Sequence, residues 1–166
     1  AEEILTHLYE RWPGAGRVAA VEHNLALPVA GIPWRGRADR IEVRPGEPPR
    51  VHVVDYKTAR RAVPVDEAAA SLQLGFYVLA ASADPHLAPL GEVAGAELWF
   101  PAHPTQRVAV RRFDPGRLPE VEERMAAVAD GIRREDWTPI AGDHCRGCAV
   151  RLVCPEWPEG REAFLG

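Results

Sequence analysis

Gly36-Arg37-Ala38-Asp39-Arg40 and Val53-Val54-Asp55-Tyr56-Lys57-Thr58 are the two stretches on which the reading of this chain turns. Val51, Val53 and Val54 are strand formers, so residues 50–57 read as a strand. Asp39 falls in the middle of another strand, 32–43, where aspartate is disfavoured unless a site requires it. Alternation along a strand sends Asp55 and Lys57 out of the same face. Two carboxylates on neighbouring strands supply the hard oxygen ligands a divalent cation takes, with positions left for water and phosphate. An ammonium beside them can orient a water and oppose charge that builds during reaction. Taken alone, Asp55 and Lys57 also fit an ordinary strand-end salt bridge, which is common and contributes little.

Outward from these strings, strands 18–29 and 32–43 form a hairpin through Ala30-Gly31-Ile32-Pro33, and Pro45-Gly46-Glu47-Pro48-Pro49 turns the chain into the third strand. Residues 2–12 read as a helix, with Ile4, Leu5, Leu8 and Trp12 at helical spacing before Pro13-Gly14. Residues 66–83 read as one alanine-rich helix whose apolar face is Leu72, Phe76 and Leu79. That helix carries Gln73 and Tyr77 one turn apart, on a shared face. Strands at 93–100 and 106–113 and a helix at 115–135 follow, the helix opened by Asp114-Pro115, and the remainder is irregular. The order β-β-β-α-β-β-α predicts an α/β domain with a mixed central β-sheet flanked by helices.

The succession Asp39, Asp55-x-Lys57 and Gln73-Leu74-Gly75-Phe76-Tyr77 resembles the PD-(D/E)XK nuclease superfamily, and within it the RecB-like branch. That branch writes a Gly-x-x-Asp-Arg-Ile string, an Asp-Tyr-Lys-Thr string and a Gln-x-x-x-Tyr helix much as they stand here, and the likeness runs over roughly residues 18 to 157. The resemblance implies a restriction-endonuclease-like core and metal-dependent, exonuclease-type hydrolysis of DNA. It implies Mg2+ or Mn2+ held by Asp39, Asp55 and the Tyr56 carbonyl, Lys57 positioning the water, and Gln73 and Tyr77 lining the DNA channel. Glu22 lies where the superfamily's first acid often falls, and reads either as a ligand through water or as a solvated strand residue. Arg60 and Arg61 follow the Asp55 strand directly, where a loop meets the phosphates flanking a cut.

Cys145-x-x-Cys148-x5-Cys154-Pro155 is a second, independent match, to the iron–sulfur-bearing members. From spacing alone, a turn delivers two thiolates to one metal; zinc with His144 as fourth ligand and unligated thiols both remain open. The resemblance implies a [4Fe-4S] cluster whose fourth cysteine lies far upstream. With three cysteines the cluster is incomplete in this chain, and the expectation is that it forms in a full-length protein of which this is a C-terminal piece. The branch also carries a metal-binding histidine on an upstream helix. His7 stands close before Glu22, so either it fills that role after a shortened connection or the true histidine lies further upstream. The implied setting is an AddB- or AdnB-type helicase–nuclease acting on double-strand breaks, with DNA and a helicase portion or partner subunit as partners. The alternatives are a CRISPR adaptation exonuclease and a catalytically silent DNA-binding module; intact Asp39, Asp55 and Lys57 speak against the last. No Gly-x-x-x-x-Gly-Lys-Ser/Thr string is present, so any ATPase belongs to another part of such an assembly.

The 166 residues suit a single domain, 1–166, with 141–166 as its cysteine-bearing tail. The net charge of −4 lacks the basic excess usual in nucleic-acid binders, yet the arginines are grouped, and local potential matters more than the sum. Arg35, Arg37 and Arg40 flank the first acid, while charge runs more often mean a solvated face. No apolar run approaches the roughly 20 residues that cross a bilayer, and no secretory leader is legible, so a cytoplasmic protein with reduced thiols and no membrane partner is expected.

Overall fold

Ala30 and Gly31, at φ 48° and 77°, make the two-residue turn that joins β1 (Arg17–Val29) to β2 (Ile32–Arg44). Two successive left-handed residues match the twist of the strands they connect, so the turn is tighter than the four residues its Gly-Pro punctuation suggests. The computed structural model describes residues 2–11, 16–105 and 108–164 and comprises two compact units, residues 1–130 and 131–166.

In the first unit, α1 (Glu2–Arg11) precedes the hairpin, and β3 (Arg50–Tyr56) pairs antiparallel with β2. The chain then crosses over through α2 (Val65–Ala69) and α3 (Leu72–Ala83) to β4 (Glu92–Phe100), which runs parallel to β3. β5 (Ala109–Arg112) closes the sheet antiparallel to β4, and α4 (Leu118–Arg133) follows. The strand order is β1-β2-β3-β4-β5, a mixed five-stranded sheet flanked by helices, as the element order predicts. The beginning of the expected 106–113 strand and the end of the expected 2–12 helix lie outside the described residues.

One expectation changes. The single helix over 66–83 is two helices, broken at Ala70 and Ser71. Ser71 Oγ accepts the Leu74 N–H at 3.3 Å, so a serine within an alanine run starts a new helix instead of continuing the old one. The restart sets the direction of α3, which lies against the sheet. Ile41, Val53 and Leu98 from the strands pack there with Leu74, Val78 and Met125, all buried; each such side chain contributes on the order of 1.5–3 kcal/mol. Gly75 lets α3 approach α4, since a Cβ there would fall 2.6 Å from Val121 Cγ2. At its C-terminus Asp84 Oδ2 is 2.8 Å from His23 Nε2, tying α3 to β1.

The opposite sheet face carries Val54, Trp99 and Val108, with Leu8 of α1 against them. Here Arg40 is 2% exposed, its guanidinium 4.6 Å from the Trp99 ring centre and donating to Tyr56 Oη at 2.6 Å. Glu42, Arg44 and Glu97 continue the row: Arg44 donates to both Glu97 oxygens, at 2.9 and 2.8 Å, and to Glu42 at 2.7 Å. Arg40 therefore belongs to a buried charge network and not to a phosphate-facing group of arginines. Among the described residues no helix is long and apolar enough to cross a membrane.

The second unit contains single 3-10 turns at Asp143–Gly147 and Arg151–Val153 and a short helix, α5 (Pro158–Phe164). The region expected to be irregular is thus locally ordered around its cysteines.

Candidate active site

Register places Asp39 and Asp55 together. β2 and β3 pair in step from Arg44↔Arg50 to Arg40↔Val54, and the next step would set Asp39 opposite Asp55. The ladder stops there, and Tyr56 N–H donates instead to Asp39 Oδ2 at 2.6 Å. Ala38 and Ile41 both face the α3 core while Arg40 between them stacks on Trp99, so the alternation of β2 changes phase at Asp39. On the neighbouring strand Glu22 falls opposite Asp39 and adopts φ 51°, in the left-handed region. Its carboxylate is 2.9 Å from Arg37 Nε and largely exposed.

Asp55 is 5% exposed. Lys57 Nζ lies 2.7 Å from its Oδ2, as the shared strand face requires, and Gln73 Nε2 donates to its Oδ1 at 3.0 Å. Lys57 Nζ also donates to Gln73 Oε1 at 3.2 Å, and Gln73 Nε2 reaches Tyr77 Oη at 3.1 Å. Tyr77 Oη in turn donates to the Arg37 carbonyl at 2.9 Å, fastening α3 to β2 beside Asp39. Gly36 is required for this approach: a Cβ there would fall 2.7 Å from Phe76 Cε1 and 2.9 Å from Tyr77 Cε1. Burial pushes the Asp55 carboxyl above its ordinary range, against the pull of Lys57 and with the Asp39 charge adding to the rise. Burial likewise raises the Tyr77 phenol, so it is a neutral donor at physiological pH.

The structure thus brings Asp39, Asp55, Lys57, Gln73 and Tyr77 into one connected group. Glu22 adjoins it but is engaged with Arg37. Arg60 and Arg61 are exposed on the loop after β3. Tyr56 sends its side chain to Arg40 on the far face, which leaves its backbone as its contribution to the Asp39–Asp55 side. The His7 side chain lies outside the described residues. Sequence reasoning missed the Arg37 carbonyl as the anchor of Tyr77; no side-chain pattern announces a backbone acceptor. It also missed Ser71, whose signal was available as a capping residue inside a helical stretch.

The donor set suits a hard cation. Asp55 Oδ2 is buried beside the Lys57 ammonium at 2.7 Å, and Asp39 Oδ1 has no hydrogen bond among the described residues. Two carboxylates are short of a full cage, and among the described residues no three His, Cys, Asp or Glu form one. A hard cation held by two carboxylates would take its remaining oxygens from water and substrate phosphate.

The family model of the PD-(D/E)XK nuclease superfamily matches residues 1–155. This chain belongs to that superfamily. Its mixed sheet and flanking helices are those of the restriction-endonuclease-like fold, and membership supports a metal-dependent nuclease, a hydrolase. The crystal structure of SSO0001 superposes with a TM-score of 0.52 at 17% identity, covering 91% of this chain and 67% of the other, a likeness of fold alone. No curated protein sequence matches.

In the second unit Cys145, Cys148 and Cys154 line one pocket with Ile140, Arg151 and Trp157. The Cys148 N–H donates to the Cys145 carbonyl at 3.1 Å, closing the turn between them, and the Gly142 N–H reaches Cys145 Sγ at 3.4 Å. His144 does not line this pocket; its Nε2 is 3.1 Å from the Ile140 carbonyl.

Proposed function

We propose that this chain is the nuclease domain of a RecB-like helicase–nuclease, hydrolysing DNA phosphodiesters during double-strand-break processing. The observation that carries the reading is the Lys57–Asp55 pair at 2.7 Å, held by Gln73 and standing beside Asp39. Asp39, Asp55 and the Tyr56 carbonyl would hold a Mg2+ or Mn2+ ion, which would supply a Lewis acid and a water of lowered pKa. Lys57 orients the attacking water and opposes charge on the phosphorus centre. Gln73 holds both Lys57 and Asp55 in place, Tyr77 anchors Gln73 to β2, and Arg60 and Arg61 grip the phosphates on either side of the cut. Residues 1–166 act as one nuclease domain of that assembly, and a further histidine ligand, a fourth cysteine and the helicase come from outside these residues.

The cysteine pocket supports the iron–sulfur part of this reading. The thiols of Cys145, Cys148 and Cys154 line one pocket, as ligation of a single inorganic unit would require.

The test is metal-dependent cleavage of single-stranded DNA by Asp55→Ala and Lys57→Ala in the parent protein. Each is expected to lose a factor of roughly 100 or more in rate with DNA affinity nearly unchanged, because transition-state contacts are removed and ground-state binding is not. Cleavage at the parental rate by either variant excludes the assignment.

A further inference from the structure

Lys57 and Gln73, which hold Asp55, also form one wall of an open cleft of about 470 Å³. Clefts of that size admit a small organic ligand. The floor is apolar, made by Leu98 of β4, which is 5% exposed, with Val63 and Leu72. The break between α2 and α3 at Ala70 and Ser71 lies in the wall, so the serine that restarts the helix also shapes the cleft. Arg124 of α4 completes the lining, and its Nη1 donates to the Ala70 carbonyl at 2.8 Å. That bond fixes the guanidinium at the edge of the cleft and uses one N–H. Its other N–H groups have no hydrogen-bond partner among the described residues. The walls are tied down as well. Arg111 Nε donates to the Val63 carbonyl at 2.8 Å and the Asp114 N–H to the Ala69 carbonyl at 3.2 Å, which holds the loop after β3 and the end of α2 in place.

We propose that this cleft is the subsite for the nucleotide next to the scissile phosphate, with Arg124 holding that nucleotide's own phosphate and the apolar floor taking its base. The inference rests on the nuclease reading above and extends it to a residue outside the catalytic group. Because the cleft shares Lys57 and Gln73 with Asp55, whatever fills it is contiguous with the place of hydrolysis. Lys57 and Arg124 set two positive charges in the lining against the one acid, Glu67, among the described residues, which favours an anion. The guanidinium fork matches the paired oxygens of a phosphate. A bare phosphate would leave Val63, Leu72 and Leu98 uncovered, whereas a base buries its faces against them. The subsite therefore takes single-stranded DNA, whose bases are free to turn into it. Arg124 binds substrate and takes no part in breaking the bond.

The experiment measures binding without cleavage, by fluorescence anisotropy of a fluorescein-labelled oligothymidylate in chelator over a range of salt. Arg124→Ala is expected to bind about tenfold more weakly. Its plot of log affinity against log salt is expected to be shallower by about 0.7, the signature of one lost phosphate contact on a single strand. Arg124→Lys keeps the charge without the fork, so it should restore the slope and only part of the affinity. Equal affinity and equal slope in Arg124→Ala overturn the role of Arg124. Should Arg124→Ala fail to fold, the unsubstituted protein decides the matter: with its leucine and valine methyls labelled with 13C, deoxythymidine monophosphate is expected to shift the resonances of Val63, Leu72 and Leu98. No shift of these resonances overturns the cleft as a nucleotide subsite. Both measurements are made without metal, so they stand apart from the cleavage test above. Parental cleavage by Asp55→Ala overturns the nuclease reading, while loss of cleavage there with unshifted methyls overturns the subsite alone.

Discussion

Asp39 Oδ2 accepts the Tyr56 backbone N–H at 2.6 Å, at the step where the β2–β3 ladder would otherwise have paired Asp39 with Asp55. A side-chain carboxylate has taken over the acceptor role of a main-chain carbonyl. The exchange lets β2 change phase without orphaning a buried N–H, at the step where register already sets the two acids opposite each other. The strand irregularity and the candidate active site are the same feature.

That double role of Asp39 can be separated by substitution. Asn at position 39 still offers an oxygen to the Tyr56 N–H but no negative charge, so Asp39→Asn should melt within a degree or two of the parent and lose metal-dependent cleavage by about 100-fold or more. Asp39→Ala loses the acceptor as well and leaves an unpaired donor, costing a further ~1–3 kcal/mol. Thermal melts alongside cleavage rates distinguish the two variants; identical melting of Asp39→Ala and Asp39→Asn would count against the structural half of the argument.

Asp55 is held charged at a cost. Burial raises its carboxyl above the ordinary value, so folding favours the protonated form. The sign follows from linkage: as pH rises from the unfolded to the folded pKa, the native state binds the extra proton and stability falls, remaining lower at neutral pH. Asp55→Asn in chelator at pH 7 should therefore raise Tm, by about 2–4 °C if the relief is worth ~1 kcal/mol. Added Mg2+ should raise the Tm of the parent and leave Asp55→Asn unmoved, since only a native state with the ligand gains from binding. Differential scanning fluorimetry with and without Mg2+ reads both.

Most of the site was legible because its signals are local. Asp55 and Lys57 need only strand alternation, Gln73 and Tyr77 only one helical turn, and Asp39 stood out as an acid inside a strand. What stayed hidden depends on residues far apart in the chain. Arg40, Glu42 and Arg44 alternate along β2 as a solvated row would, and nothing nearby in sequence reveals that Trp99 and Glu97 from β4 cover them. Glu22 looks like an ordinary strand residue until the phase change at Asp39 on the next strand forces φ to 51°. Ser71 was readable, but its capping signal was outweighed by the alanine run preceding it.

The covered network makes a pH prediction. Burial disfavours charge on Glu97, yet hydrogen bonds from Arg44 and Trp99, with the charges of Arg44 and Arg112, hold its carboxyl down to about 2 from 4.5. A depressed acid contributes stability that is fully present above the unfolded pKa and is lost as pH falls through the folded one. The parent should lose stability progressively from about pH 4.5 toward pH 2. Glu97→Gln weakens the hold on Arg44, which keeps Glu42, should cost ~1–3 kcal/mol at pH 7, and should lack that part of the acid slope. Urea melts of both proteins across pH 2.5–7 test this. An unchanged slope in the variant would place the acid sensitivity elsewhere.

Gly36 is where packing and chemistry meet most closely. An alanine methyl there would lie 2.7 Å from Phe76 Cε1 and 2.9 Å from Tyr77 Cε1, and both rings are buried, at 5% and 4% exposure. Neither can swing into solvent, because Phe76 is wedged against Trp34 and Tyr77 is fixed to the Arg37 carbonyl. Relief has to come from α3 moving away from β2, which costs about 1–3 kcal/mol as overpacking. The same movement carries Gln73 away from Asp55 and Lys57, so the rate should fall by roughly 10–100-fold although no reacting group has been changed. Pairing Gly36→Ala with Phe76→Leu should recover much of the lost rate by making room for the methyl. A Gly36→Ala protein with parental Tm and parental cleavage would show that α3 is not held at the distance on which this account depends.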